Sequence, residues 1–125
     1  MLGKFAMAAA FVVAAAAPAL AAECSRPIAP AMSVDGTTAT VQQMNDAIHD
    51  FKSYQAASDD YQNCMFADLD AQKKAAAAAK DPKPLDPAII LGVNAKVAAN
   101  QSEKEKLGGE LNAQIIAFKN AHPAK

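Results

Sequence analysis

Between residues 38 and 80 the chain carries neither proline nor glycine, and the next seven residues, Asp81-Pro82-Lys83-Pro84-Leu85-Asp86-Pro87, hold three prolines. Proline lacks an amide hydrogen and clashes with the preceding helical turn, so no helix crosses that segment. On its N-terminal side Val41, Met44, Ile48, Phe51, Tyr54, Tyr61, Met65 and Leu69 recur at spacings of three, four and seven. That is the period of a long amphipathic helix, for which Thr37 or Thr38 is a suitable N-cap. On the other side Asp86 before Pro87 reads as an N-cap with proline in the first helical position. Ile90, Val93, Val97, Leu107, Leu111, Ile115 and Phe118 then form a near-heptad series that Pro123 ends. Gly108-Gly109 is a point at which this second helix can break or kink. Two long helices joined by a short loop are antiparallel neighbours. The expected fold is therefore all-α, an antiparallel helical hairpin over residues 38–125, about 60 Å long at 1.5 Å per residue. Folding about residue 83 or 84 would set Leu69 opposite Val97, Tyr61 near Leu107, and Phe51 near Ile115 and Phe118.

The N-terminal end supplies an address. Lys4 precedes an apolar run over residues 5–20, interrupted by Pro18 and followed by the small-residue tripeptide Ala19-Leu20-Ala21. Residues 1–21 read as a secretory signal peptide. The run is too short and too well terminated for a retained anchor, and Glu23 before Cys24 does not suit lipid attachment. Cleavage would remove Lys4 and no acid, moving the formal charge from −1 to −2. Such a balance offers no electrostatic footprint for nucleic acid or anionic lipid. The expected location is periplasmic or secreted, without membrane insertion after cleavage.

Residues 22–37, with Pro27, Pro30 and Asp35-Gly36-Thr37, read as an extended arm. In an oxidising compartment Cys24 and Cys64, the two cysteines of the chain, are expected to pair. From Thr38 to Cys64 a helix rises about 39 Å, and the arm spans about 40 to 43 Å when stretched. The bridge closes only if the arm runs back along the first helix. Without a Cys-x-x-Cys motif or a neighbouring histidine, the pair reads as a staple rather than a redox or zinc site.

Chemistry is sparsely signalled. Asp46, His49 and Asp50 share one helical face, a weak set for a transition metal, and His122 falls near the same end of the hairpin. Haem held by Met44 or Met65 and a histidine is disfavoured, because no Cys-x-x-Cys-His site exists, and no cofactor is expected. Nucleophile elbows, phosphate loops and His-Glu-x-x-His are absent. The chain does not read as an enzyme.

Polar residues interrupt both apolar series at matching height: Gln55, Ser58 and Gln62 in the first, Asn100 and Lys104 in the second. They read either as a buried layer that fixes register or as a wetter middle section beside the disulfide. Phe51, Tyr54, Tyr61, Leu107, Leu111 and Phe118 are the candidate interaction face. Ile89, Leu91, Phe66 and Ile116 fall off the main seam and point to self-association or a partner.

Taken together, Cys24 with Pro27 and Pro30, Asp35-Gly36-Thr37 before a long helix, Tyr61-Gln62-Asn63-Cys64, and the closing Leu111-Asn112-Ala113-Gln114 run to Phe118-Lys119 resemble a group of small exported helical proteins of proteobacteria, themselves uncharacterised. The resemblance implies the disulfide and the hairpin and carries no activity. The expected function is a non-catalytic periplasmic interaction or structural module, a stapled hairpin that binds itself or another envelope protein. The alternatives are a metal or small-ligand carrier and an envelope stress chaperone.

Overall fold

A computed structural model describes residues 23–124; the signal peptide expected at residues 1–21 lies outside the described residues. Two helices pack against each other, α1 over Val41–Ala78 and α2 over Pro87–Ala121. They run antiparallel, since Asp59 meets Lys104, Gln62 meets Asn100 and Phe51 lies against Gly108. Met44, Tyr54, Tyr61 and Leu69 of α1 and Val93, Leu107 and Leu111 of α2 form the buried seam, with Ala39 beneath one end.

The first helix begins later than its sequence suggests. Thr40 is the N-cap: Gln43 N donates to Thr40 Oγ1 at 3.1 Å, and Thr40 N donates to Gln43 Oε1 at 2.9 Å. This reciprocal box needs a glutamine or glutamate three residues after the cap, which Thr37 and Thr38 lack. Asp35 holds the preceding residues in a turn, with Oδ1 accepting from Thr37 N at 2.9 Å and Thr37 Oγ1 at 2.7 Å. Its carbonyl accepts from Thr38 N and Ala39 N. The hydroxyl proposed as a cap is thus engaged in the turn that delivers the chain to the true one.

Asp86 and Pro87 behave as expected, Asp86 Oδ1 accepting from Ala88 N at 2.9 Å. Helix α2 is continuous through Gly108-Gly109. Gly108 faces the Phe51 ring, where a methyl group would meet Phe51 Cζ at 3.1 Å. The missing side chain leaves a slot for the ring, and the buried Leu107 and Leu111 hold the helix against α1 on both sides of it.

The register differs from a fold about the loop centre. Phe51 lies against Gly108, Asp59 meets Lys104 and Gln62 meets Asn100, pairs about one to two turns nearer the loop than folding about residue 83 or 84 would give. Pro82, Lys83, Pro84 and Leu85 of the loop border a hollow with Lys73 and Ala77 of α1 and Ile90 of α2, so the loop lies beside the last turns of α1 as well as the first turn of α2.

The arm follows the path its length required. No regular structure occurs over residues 23–35. Cys24 is bonded to Cys64 with Cα atoms 5.7 Å apart, Arg26 reaches Glu103, and Gly36 is pressed onto α2 with its amide donating to Gln114 Oε1 at 2.8 Å. A Cβ at Gly36 would overlap the Gln114 carbonyl and stand 2.9 Å from Phe118 N. Glycine is needed there for close approach of two backbones, not for an unusual dihedral angle. No helix among the described residues is long and apolar enough to cross a membrane.

Candidate functional site

The interior of the hairpin is polar at its middle. Ser58 and Asn100 are both 0% exposed and are the most deeply buried side chains of the described residues. Asn100 Nδ2 donates to Ser58 Oγ at 3.3 Å and more weakly to Tyr54 Oη at 3.5 Å. Gln62 Nε2 donates to Asn100 Oδ1 at 2.9 Å and to Gln101 Oε1 at 3.2 Å. Among the described residues no buried side-chain nitrogen or oxygen lacks a partner. A buried amide is costly when unpaired and close to neutral when fully bonded. The layer therefore adds little net stability but penalises any sliding of α1 along α2.

Of the two readings of these residues, the buried layer is the one found. Ser58, Gln62 and Asn100 belong to it, whereas Gln55 is exposed. Lys104 lies at its edge with a side chain 13% exposed, its Nζ 2.6 Å from Asp59 Oδ1.

The layer continues outward to the arm. Tyr54 donates its hydroxyl to Glu103 Oε2 at 2.8 Å, and the same oxygen receives Arg26 Nη2 at 3.0 Å. The Tyr54 and Arg26 hydrogen bonds hold the Glu103 carboxyl below the usual range. Burial, then the Glu103 contact, pushes the Tyr54 phenol up. One carboxylate thus links α1, α2 and the arm. Periodicity did not reveal this trio, because Glu103 sits beside the seam position Lys104 and Arg26 lies in a segment without period. The only signal was that Arg26 is the single arginine of the chain, the residue type suited to a carboxylate shared with another donor.

The proposed metal set does not assemble. Among the described residues no three histidine, cysteine, aspartate or glutamate side chains are grouped so as to hold a metal ion. His49, 81% exposed, turns Nδ1 toward Asp50 Oδ1 at 3.8 Å, while Asp46 Oδ1 accepts from Gln42 at 2.7 Å. Sharing a helical face did not bring the three together, since Asp46 is engaged one turn back by Gln42. His122 is occupied elsewhere, stacked on Phe118 with ring centroids 4.3 Å apart. The proposed interaction face also needs correction. Tyr54, Tyr61, Leu107 and Leu111 are buried within the hairpin, and Phe51 and Phe118 are half-buried. The heptad that nominated them is the seam between α1 and α2. The large apolar side chains left outside are Ile28, Val41, Phe66, Ile89, Leu91 and Ile116, four of which are the off-seam residues.

The fold and site define a disulfide-stapled helical hairpin with a polar interior layer. Compared with known proteins, the chain matches no family model, no curated protein and no solved structure.

Proposed function

We propose that the protein is a non-catalytic interaction or structural module of the bacterial envelope, periplasmic or secreted, which presents the outer faces of a stapled hairpin to a protein partner or to a second copy of itself. The observation that carries this reading is the division of apolar side chains. The seam is closed within the chain, yet Phe66, Leu91 and Ile116 remain 46%, 67% and 51% exposed. Removing such side chains from water is worth about 1.5–3 kcal/mol each when burial is complete, which favours a covering surface. The Cys24–Cys64 bond and the basic, apolar N-terminal segment support an exported location. The polar layer supports a scaffolding role rather than a reactive one, since its donors and acceptors are spent on each other.

Photo-crosslinking from position 91 or 116 in the envelope tests the proposal. A discrete adduct, to another protein or to a second copy, is the expected result. The reading fails if no adduct forms and the purified protein stays monomeric at high concentration by light scattering.

A further inference from the structure

The arm is fixed firmly at its two ends and carries few hydrogen bonds between them. At the downstream end Gly36 is buried against Gln114, and Asp35 closes the turn into Ala39. At the upstream end Cys24 is covalently held by Cys64. Between residues 25–34 and the helices, the hydrogen bonding described is the Arg26–Glu103 pair, whose side chains are 49% and 36% exposed. Exposed pairs of this kind contribute about 0–1 kcal/mol. The backbone hydrogen bond within this stretch, Ser33 N to Ala31 O, is internal to the arm.

Packing is uneven: Pro27, Ala29, Pro30, Met32 and Val34 are half-buried, whereas Ile28 is 93% exposed. Hollows of about 260 Å³ and 520 Å³ open where the arm meets the helices, one between residues 30–34 and Gln43, Asp46, Ala47 and Asp50, the other beside Glu23 and Cys24. Two closures of the hairpin use no arm residue, the Ser58–Asn100–Gln62 layer and the Lys104–Asp59 pair.

We propose that residues 23–34 are a redox-released strap: reduction of the Cys24–Cys64 bond frees the arm as far as a hinge at Asp35-Gly36 while α1 and α2 stay folded together. A dithiol reductant supplies the two electrons. Its thiolate attacks one sulfur of the bridge, the other sulfur leaves and is protonated, and the second thiol of the reductant closes its own disulfide, leaving Cys24 and Cys64 as thiols. Arg26 then leaves Glu103, and the flank of the polar layer is uncovered together with the Cys64 thiol. The strap is a conformational device that reports the thiol poise around the protein.

The test compares backbone ¹⁵N order parameters and amide exchange of the oxidised protein with those of the same sample after dithiothreitol, with thiol titration showing two free cysteines. Order parameters over residues 25–34 are expected to fall from about 0.85 to below 0.6, while the slowly exchanging amides of Ser58, Tyr61, Asn100 and Leu107 persist. Cys24→Ser, without reductant, is expected to match the reduced protein. The proposal is overturned if the arm keeps its order in the reduced protein. It is equally overturned if the slow helix amides are lost with the arm, or if Cys24→Ser does not fold, since the bridge would then be a requirement of the whole hairpin.

Discussion

Asn100 of α2 donates to Ser58 of α1 at 3.3 Å with both side chains wholly removed from solvent, so the two helices are registered by an amide and a hydroxyl rather than by a large apolar side chain. Asn100→Ala would leave Ser58 and Gln62 without this partner and open a small void. The expected cost is about 1–3 kcal/mol, read by urea denaturation. Asn100→Leu is expected to cost less in stability but to relax the register, giving more than one set of amide resonances.

Three glycines separate close approach from mere helix weakening. Gly36→Ala forces a methyl onto the Gln114 carbonyl and is expected to destabilise by about 1–3 kcal/mol. Gly109, with nothing near its Cβ position, should gain about 1 kcal/mol as alanine. Gly108→Ala is expected to fall between them, because the group it meets is the Phe51 ring. Thermal midpoints of the three variants check the order.

Acid should weaken the link between arm and helices. The folded-state value of Glu103 lies below its ordinary 4.5. Its contribution is therefore complete above that value and is lost as pH falls through the lowered one. Tyr54 has the opposite sense: its folded-state value lies above the ordinary 10.0, so its contribution is lost as pH rises through the raised one. Glu103→Gln is expected to flatten the fall in thermal midpoint between pH 5 and pH 3. A slope remaining in the variant is also expected, since Asp35 and Asp70 are lowered by hydrogen bonds to Thr37 and Lys74. If wild type and variant lose the same amount, Glu103 is not coupled to folding.

Opening the bridge should lower the midpoint of global unfolding. The bond closes a sequence separation of 40 residues, for which chain entropy gives about 4 kcal/mol of stabilisation at 25 °C. Urea unfolding of the Cys24→Ser, Cys64→Ser double variant measures it. A loss well below about 2 kcal/mol would show that the unfolded chain already keeps the arm near Cys64.

Much of the architecture was legible because proline placement and apolar period act locally. The residues 81–87 loop, the Asp86-Pro87 start and the seam from Met44 to Leu111 needed no knowledge of what packs where. The disulfide was legible because two cysteines behind an expected export signal call for pairing, and the stretched arm is just long enough to allow it. The start of α1 was not, since Thr37, Thr38 and Thr40 are chemically equivalent until Asp35 and Gln43 choose among them. Register escaped as well, because the course of a proline-rich loop along α1 depends on side-chain contacts at the tip. Within the site, Ser58, Gln62 and Asn100 were visible as polar steps in a heptad. The Tyr54–Glu103–Arg26 connection joins three segments and has no linear pattern to read.

The bridge also decides how the rod can be held. Cys64 lies about 21 Å along α1 from Ala78 and about 35 Å from Val41 at 1.5 Å per residue, so Cys24, bonded to it, sits on the flank of the shaft. Chain following α2 departs from the end opposite the loop. A tether at the N-terminus would carry the hairpin crosswise and leave both tips free. A tether at the C-terminus would stand it upright with only the proline loop at its summit.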